Sequence, residues 1–476
     1  MSVLDQIDTV VAVIMENRSF DHLLGWMSLA EYGGRQDIEG LKGGVDPASR
    51  ELVDPSYDNY ALGHRWRPFV VDRDIPLITD VPHGRASVAT QLDYSQVIGG
   101  FTMAGFARAY FDANQGNRGS RPEALMMFPP PLVPTTSFLA QNFCVCDRWF
   151  TPIPTDTQPN RFIALGGETQ VDETSDHPPD HDVILDWCTR NGVRWRVYHE
   201  GFSFMTLFRR SVLLNPNFRW FGQLASDFQL EADSTFPQVI LVEPAYDDDP
   251  LALHPDDNHP PLPMGPGEVF LSRVYKAVTS NPSRWARTVL IIYYDEHGGF
   301  FDHVQPLQIR TAAPNKEYPP FDTTGPRVPA LVVSPFVRSG SVCSENLDHT
   351  SVLRFLAERF TPGKAYSAAV ANRHGDGTLK SVFLALNVAV PRPAKPPNAP
   401  ALGLVPSITR ADLEPSTANQ RAFANAQADA HASHPDAIVE RHPEMLFDVP
   451  HPDVAAGTPV RKAVTPTSSR GRKKPK

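Results

Sequence analysis

Two groups of residues that could bind a cation follow apolar runs of the sequence. Glu16 and Asn17 come directly after one short apolar run, and Asp295 and Glu296 come directly after another. Carboxylate and amide oxygens are ligands that hard divalent cations prefer. Carboxylates crowded together repel one another unless a cation neutralises them. One such pair usually caps a helix or faces solvent, but two pairs in equivalent positions indicate a functional site.

A hydroxyl nucleophile is the second chemical feature. Thr157 precedes Pro159, Asn160 and Arg161, after which an apolar stretch predicts a helix. A hydroxyl at a helix N-terminus lies where backbone N–H groups and the helix dipole stabilise an anion. A metal ion bound to the same oxygen would lower its pKa. The spacing alone leaves Thr155 as an equal candidate.

An α/β sheet would place these residues together. Four short apolar runs rich in β-branched residues are predicted as buried strands, and strand–helix–strand order favours a parallel or mixed sheet covered by helices. Ligands bind beyond the carboxyl ends of such strands, where both groups of residues lie. The predicted strands are residues 9–15, 238–242, 288–294 and 328–333, and the predicted helices are residues 267–280 and 348–360.

Composition narrows the class of protein. The chain has 476 residues, 47 prolines and a formal net charge of −10. The prolines predict long irregular loops, and residues 33–80 and 172–181 are interpreted as surface insertions. The negative charge gives no support to nucleic-acid binding. The four cysteines form no paired CxxC motif and are expected to be buried free thiols.

The ends of the chain carry weaker signals. The N-terminal apolar run is short and follows acidic residues, so no secretory signal is expected, and no run approaches the roughly 20 apolar residues of a spanning helix. We therefore expect a cytoplasmic protein, or one exported without a classical signal peptide. Residues 1–390 are predicted to form the catalytic domain. Residues 391–476 are predicted to form a Pro/Ala-rich extension whose basic tail, residues 470–476, is disordered.

A series of motifs in one order resembles a known family. The chain is similar to the bacterial phosphoesterase family of phosphatidylcholine-type phospholipases C and related acid phosphatases, which belongs to the alkaline phosphatase-like superfamily. The motifs are ENRSFDH (16–22), TQPNR (157–161), HPP (259–261), DEHGGFFDHV (295–304), GPRVPALVVSP (325–335) and DHTSVLRF (348–355).

The resemblance implies a fold and a set of site residues. The fold would be a three-layer α/β/α sandwich with loop insertions. Carried over by position, the metal ligands would be Glu16, Asn17, Thr157, Asp295 and Glu296, with Thr157 also the nucleophile. The catalytic histidines would be His83, His259, His303 and His349, while His254 is unplaced and could replace or assist His259. The cofactor would be a divalent metal ion, with Ca, Mg, Mn and Zn all open.

The expected function is metal-dependent hydrolysis of phosphoric esters through a phosphothreonine intermediate. A phospholipase C-like reaction on a phosphodiester lipid of the phosphatidylcholine kind is preferred, and an acid phosphatase acting on phosphomonoesters is the alternative. A non-enzymatic cation-binding module is a third alternative, but it would not need Thr157 and four histidines. A sulfatase is disfavoured because oxidation of a threonine gives a ketone, whereas sulfatases need an aldehyde.

Overall fold

The computed structural model describes residues 2–114, 121–209, 214–252, 254–314, 316, 318–392, 396–402 and 416–434. Within these ranges the helices are α1 (Phe20–Leu23), α2 (Arg85–Leu92), α3 (Phe106–Ala113), α4 (Pro134–Asn142), α5 (Thr157–Gly166), α6 (Ile184–Arg190), α7 (Met205–Phe208), α8 (Leu224–Leu230), α9 (Gly265–Val278), α10 (Pro282–Trp285), α11 (Thr350–Phe360), α12 (Ala368–Arg373) and α13 (Ala418–Ser433).

The strands in the same ranges are β1 (Thr9–Met15), β2 (Asn59–Ala61), β3 (His64–Trp66), β4 (Phe69–Val70), β5 (Tyr94–Ser95), β6 (Gly100–Phe101), β7 (Met126–Met127), β8 (Cys144–Cys146), β9 (Trp149–Phe150), β10 (Trp195–His199), β11 (Phe218–Trp220), β12 (Val239–Glu243), β13 (Thr288–Tyr294), β14 (Gln308–Thr311), β15 (Phe321–Thr323), β16 (Ala330–Val333), β17 (Ser341–Cys343) and β18 (Leu347–Asp348).

Eight strands form one central sheet in the order β11-β10-β12-β1-β13-β16-β8-β17. β1 lies near the middle and pairs in parallel with β12 on one side and β13 on the other. β16 runs antiparallel to both of its neighbours. All seven residues of β1 and of β13 are buried, which suits strands covered on both faces. The predicted α/β fold is therefore confirmed.

Helices cover both faces of this sheet. Tyr293 contacts His349 at the start of α11, with 5.0 Å between the ring centroids. Tyr294, the next residue of β13, lies near Glu268 of α9, and burial together with this carboxylate raises the pKa of Tyr294. Successive residues of a strand point to opposite faces, so α11 and α9 lie on opposite sides of the sheet. This arrangement is the three-layer α/β/α sandwich.

Every predicted strand and helix has a counterpart in the structure, with each boundary within two residues of the prediction. The runs of residues 9–15 and 288–294 are β1 and β13 without a shift, while the other two predicted strands begin one or two residues later. The predicted helices correspond to α9 and α11. All four cysteines are buried free thiols, as expected. No helix among the described residues is long and apolar enough to cross a membrane.

Part of the predicted C-terminal extension is ordered against the rest of the chain. Helix α13 buries the side chain of Phe423 completely, and its ring contacts those of Phe202, Phe204 and Tyr246. Residues 403–415 and 435–476, including the basic tail, lie outside the described residues. The division of the chain at residue 390 stays a prediction.

Candidate active site

The register of the central sheet brings the two groups of predicted ligands together. Met15 pairs with Tyr294, so Glu16 and Asp295 follow at the same level of neighbouring parallel strands. The backbone N–H of Asn17 donates to Oδ1 of Asp295, over 3.1 Å. Glu16, Asn17, Asp295 and Glu296 are all at most 1% exposed. Both groups therefore lie in one buried place beyond the carboxyl ends of β1 and β13.

Two residues with left-handed backbone allow this close approach. Asn17 has φ of 58°, a conformation that asparagine adopts more readily than most residues. Gly298 has φ of 62°, and a Cβ atom there would lie 2.1 Å from the carbonyl oxygen of Asn17. Only glycine fits at this position, because the two loops touch there. The Gly-Gly turn after Asp295 and Glu296 thus lets the loop after β13 pack directly against the loop after β1.

Arg161 of helix α5 neutralises part of the acidic charge. Its Nη2 donates to Oε1 of Glu16 over 2.6 Å, and its Nε donates to Oδ2 of Asp295 over 3.1 Å. Burial nevertheless raises the pKa of Asp295 to about 6 and raises the pKa of Glu16 well above its usual range. One arginine does not offset the desolvation of these carboxyl groups, and a further positive charge would stabilise their ionised forms.

Three oxygens of this group are buried without a hydrogen-bond partner among the described residues. They are Oε2 of Glu16, Oδ1 of Asn17 and Oε1 of Glu296. A buried acceptor without a donor is costly, and native structures contain few of them. Carboxylate and amide oxygens with free lone pairs fit a hard divalent cation. The chemistry of this donor set therefore fits the metal ion that the sequence predicts.

The structure distinguishes the two candidate threonines. Oγ1 of Thr155 donates to the carbonyl oxygen of Asp172 over 3.0 Å, so this hydroxyl is already engaged. The structure shows no hydrogen bond to the Thr157 hydroxyl from the described residues, and Thr157 is 3% exposed. Thr157 begins α5 and lies one turn before Arg161, so both side chains share the helix face that points toward Glu16 and Asp295.

The loop before α5 is fixed by Asn160. Its Oδ1 accepts from the backbone N–H of Ile153 over 3.1 Å. Its Nδ2 donates to the carbonyl oxygens of Thr155 and Asp156, over 2.9 and 3.0 Å. Three hydrogen bonds from one buried side chain hold the backbone on both sides of the turn. The asparagine of the TQPNR motif thus fixes the position of Thr157 relative to the sheet.

His83 faces the acidic group. Its Nδ1–H donates to the carbonyl oxygen of Val81 over 2.6 Å, which leaves Nε2 directed at Asn17 Nδ2, 3.4 Å away, and Glu296 Oε1, 3.7 Å away. Burial alone would lower the pKa of His83, but Glu296 and Asp80 outweigh it and raise the pKa to about 9. The two carboxylates thus favour the protonated form of this imidazole.

His259 also lies close to Glu16, with ligand atoms of the two side chains within 4.8 Å of each other. Its ring centroid is 6.4 Å from that of His83, and Nδ1 is hydrogen-bonded to the carbonyl oxygen of Pro260. Burial would lower its pKa, but Asp80, Asp248 and Asp247 raise it well above the usual value. His254 is half-buried in the loop that precedes the HPP motif.

Asp248 joins the site although sequence reasoning missed it. Ligand atoms of Glu16, Asp248 and His259 all lie within 4.8 Å of one another, a spacing that could hold a cation. Asp248 is the middle residue of the run Asp247–Asp249, which follows β12 after three intervening residues. The position of this run beyond a parallel strand next to β1 was the signal that could have found it.

His303 belongs to a second buried group of charges. Its Nδ1 is 2.7 Å from Oδ2 of Asp21, and Asp21 and Asp302 both pair with the fully buried Arg327. Burial would lower the pKa of His303, but Asp21 raises it to about 9. No hydrogen bond or ion pair between described residues joins His303 to the ligand group around Glu16.

Both ring nitrogens of His349 are engaged. Nε2–H donates to the carbonyl oxygen of Asp295 over 2.7 Å, and Nδ1 accepts from the indole N–H of Trp149 over 3.0 Å. Burial lowers its pKa to about 4, so the ring is neutral at physiological pH. This side chain fixes the backbone that carries Asp295, and neither nitrogen is available to a substrate.

Known proteins share this sequence pattern. Residues 7–361 match the model of the Phosphoesterase family. Non-specific phospholipase C1 of Arabidopsis thaliana is 32% identical over 354 residues, which cover 71% of this chain and 62% of that protein. Phospholipase C B of Mycobacterium tuberculosis is 27% identical over 464 residues, which cover 85% of this chain and 82% of that protein. The chain thus spans less than two thirds of the plant relative's length.

Among solved structures, the chain is similar to a protein in the alkaline phosphatase superfamily from Vibrio parahaemolyticus. It is 15% identical, with a TM-score of 0.27, and the match covers 49% of this chain and 61% of that one.

Proposed function

The chain belongs to the phosphoesterase family, and from this premise we propose that it is a metal-dependent hydrolase of phosphoric esters whose nucleophile is the Thr157 hydroxyl. The observation that carries the proposal is a set of three buried oxygens, on Glu16, Asn17 and Glu296, that accept no hydrogen bond from the part of the chain that the structure describes. These oxygens lie beyond the carboxyl ends of β1 and β13. Arg161, one turn after Thr157, donates hydrogen bonds to Glu16 and Asp295 at the same strand ends.

The reaction proceeds in two displacements. The Thr157 oxygen, ionised before the attack, bonds to phosphorus, the bond from phosphorus to the leaving oxygen breaks, and a phosphothreonine forms. Water then attacks the same phosphorus, the bond from phosphorus to the Thr157 oxygen breaks, and the threonine oxygen returns to its ionised form as the phosphate or phosphorylated head group departs. When bound, a divalent cation supplies positive charge that lowers the pKa of a hydroxyl and stabilises the phosphoryl oxygens. Its ligands on this chain would be Glu16, Asn17, Thr157, Asp295 and Glu296.

The histidines supply protons and positive charge. His83 and His259 both have raised pKa values, so they can donate hydrogen bonds to phosphoryl oxygens. In the first displacement one protonated histidine gives its proton to the leaving oxygen. The neutral imidazole that remains takes a proton from the attacking water in the second displacement. His303, also protonated at neutral pH, is proposed to serve the second displacement.

His349 is proposed to act as a positioning residue instead of a catalytic one. A proton-transferring histidine needs one ring nitrogen that can reach the substrate. Both nitrogens of His349 are held by Asp295 and Trp149 within a fully buried pocket. The contribution of His349 to catalysis is therefore the fixed orientation of the Asp295 backbone, next to the ligand carboxylate.

The substrate is proposed to be a phosphodiester lipid of the phosphatidylcholine kind. The relatives named above are phospholipases C, and the ENRSFDH and DEHGGFFDHV motifs resemble that branch of the family. Phosphomonoester hydrolysis is the second candidate, because the same displacement serves either ester.

A panel of three substrates tests the proposal. Purified protein is assayed on phosphatidylcholine in mixed micelles, on p-nitrophenyl phosphate and on p-nitrophenyl sulfate. We expect turnover of the choline diester, with release of phosphocholine and diacylglycerol. Faster turnover of the monoester would favour the phosphatase alternative. No turnover of either phosphate ester with any of Ca, Mg, Mn or Zn would contradict the proposed function.

A further inference from the structure

A helix beyond the family match reaches the candidate active site. The match ends at residue 361, whereas α13 spans Ala418–Ser433. Asn419, in the first turn of α13, is 5% exposed and uses both ends of its side-chain amide. Its Nδ2 donates to Oδ2 of Asp248 over 2.6 Å, and its Oδ1 accepts from Nε2 of Gln158 over 3.0 Å.

The two partners of Asn419 belong to different parts of the site. Gln158 directly follows Thr157 in α5 and is fully buried. Asp248 lies within 4.8 Å of ligand atoms of Glu16 and His259. One amide from α13 therefore connects the helix that carries the nucleophile with the loop that carries an acidic residue of the site.

Other contacts hold α13 in this place without Asn419. The buried ring of Phe423 contacts Phe204 and Tyr246, and these two rings also lie against the guanidinium of Arg161, at 4.5 and 5.2 Å from ring centroid to Cζ. Gln427 Nε2 donates to Oδ1 of Asp249 over 2.6 Å. Removal of the Asn419 amide alone should thus leave the helix docked.

Oxygen Oδ1 of Asn419 can accept but not donate, and Nδ2 can donate but not accept. The amide therefore matches a carboxylate on one side and an amide N–H on the other. A hydrogen bond to a charged group is stronger than one between neutral groups. The two hydrogen bonds of the Asn419 amide therefore fix the orientation of the Asp248 carboxylate relative to α5.

We propose that Asn419 is a positioning residue that fixes the distance between the Thr157 end of α5 and the Asp248 loop, so that α13 forms part of the active site. This inference rests on the proposed function, in which Thr157 is the nucleophile. It assigns a role to a segment outside the residues that match the family model.

Variants of the full chain test the proposal. Asn419→Ala removes both hydrogen bonds, and Asn419→Asp keeps the acceptor for Gln158 but places a second carboxylate against Asp248. Asn425→Ala is the matched control, because Asn425 lies on the same helix and donates to the carbonyl oxygen of Asp176 over 3.0 Å. We expect kcat to fall about 10- to 100-fold in both Asn419 variants, the usual cost of losing a bond to a charged group. KM and the Asn425→Ala enzyme should stay unchanged.

Hydrogen–deuterium exchange gives a second readout that does not depend on activity. Exchange over residues 157–166 and 244–250 should be faster in Asn419→Ala than in the wild type and in Asn425→Ala, while residues 418–433 stay protected. Equal exchange in the three proteins, or full kcat in Asn419→Ala, would overturn the proposal. Loss of protection over residues 418–433 would also overturn it, because Asn419 would then only dock the helix. An inactive wild type would contradict the proposed function, and the exchange comparison would still decide the role of Asn419.

Discussion

Glu16 and Asp295 are neighbours across the parallel pair of β1 and β13, because Met15 pairs with Tyr294 in the strand register. Arg161 donates to both carboxylates, at 2.6 and 3.1 Å. The buried acidic group is thus set by backbone register, and the helix that begins at Thr157 is attached to it by one guanidinium.

The contact between the loops that follow β1 and β13 predicts that a methyl group added at Gly298 destabilises the protein. In Gly298→Ala the new Cβ would meet the Asn17 carbonyl oxygen, and the backbone has φ of 62°. Left-handed backbone alone costs a non-glycine residue about 1–2 kcal/mol. The clash adds to this cost, so we expect a free energy of unfolding lowered by more than about 2 kcal/mol and a loss of activity.

Gly363→Ala is the control for that prediction. Gly363 has φ of 83°, but a Cβ there would meet nothing within 4 Å. Urea denaturation of both variants measures the difference between their free energies of unfolding. Equal destabilisation of the two proteins would show that the contact with Asn17 does not matter.

Metal removal is expected to abolish turnover. The buried oxygens of Glu16, Asn17 and Glu296 accept no hydrogen bond from the described residues, and repulsion among carboxylates disfavours this site without a cation. Protein treated with a strong chelator and dialysed should regain activity when one of Ca, Mg, Mn or Zn is added back. Metal analysis accompanies the assay. Full activity in protein that holds less than about a tenth of an equivalent of metal would contradict this prediction.

Substitution of His349 should affect stability more than proton transfer. His349→Ala leaves the Asp295 carbonyl and the Trp149 indole N–H without partners, which should lower the free energy of unfolding by about 2–4 kcal/mol. The pKa values in the pH profile of kcat should not move. His64→Ala, on the exposed strand β3, is the control and should change neither quantity. Disappearance of one limb of the pH profile in His349→Ala would instead make His349 catalytic.

The Asp21–His303 pair predicts a pH dependence of stability. The pKa of His303 is raised from 6.5 to about 9 in the folded protein, so the folded state holds this proton more tightly than the unfolded state. Its stabilisation is fully present below pH 6.5 and is lost as the pH rises through about 9. Urea denaturation at fixed metal concentration should show this loss in the wild type and a weaker pH dependence in His303→Gln. If the free energy of unfolding depended on pH in the same way in both proteins, the Asp21–His303 pair would not be the cause of that dependence.

The sequence predicts the centre of the fold better than its edges. β1 and β13 were predicted because they are continuous apolar runs buried on both faces. β8 and β17 have three residues each, and the apolar pattern of β10 is interrupted by Arg196, so the pairing of these strands depends on neighbours far away in the chain. Local pattern carries no information about such pairing.

In the candidate active site too, features at strand ends could be predicted, whereas contacts between residues far apart in the chain could not. The predicted ligands beyond β1 and β13 follow from the positions of strand ends, and Asp248 obeys the same rule but lies five residues beyond the last residue of β12, in the run Asp247–Asp249. The engagement of His349 by Trp149 joins residues 200 positions apart. The bond from Asn419 to Asp248 spans 171 positions. Contacts of this kind leave no periodicity in the sequence.

The two threonines before α5 should differ in their effect on turnover. Thr157→Ala removes the proposed nucleophile and should lower kcat by about 10³-fold or more with little loss of fold, while Thr157→Ser should keep part of the activity. Thr155→Ala should stay active, because its hydroxyl only donates to the Asp172 carbonyl. Steady-state kinetics of the three variants, with circular dichroism as the check on folding, makes the comparison. A dead Thr155→Ala beside a normal Thr157→Ala would reverse the assignment.

The nucleophile itself is tested most directly by trapping the covalent intermediate. Enzyme turning over a phosphate ester is quenched in acid within milliseconds, digested, and the peptide that contains Thr157 is analysed by mass spectrometry. His303→Ala is run in parallel, because slower breakdown should make the adduct accumulate. We predict a phosphoryl group on Thr157 in both proteins, more of it in His303→Ala, and none in Thr157→Ala. A phosphoryl group on another residue, or its absence from Thr157 in enzyme that is turning over, would contradict the proposed mechanism.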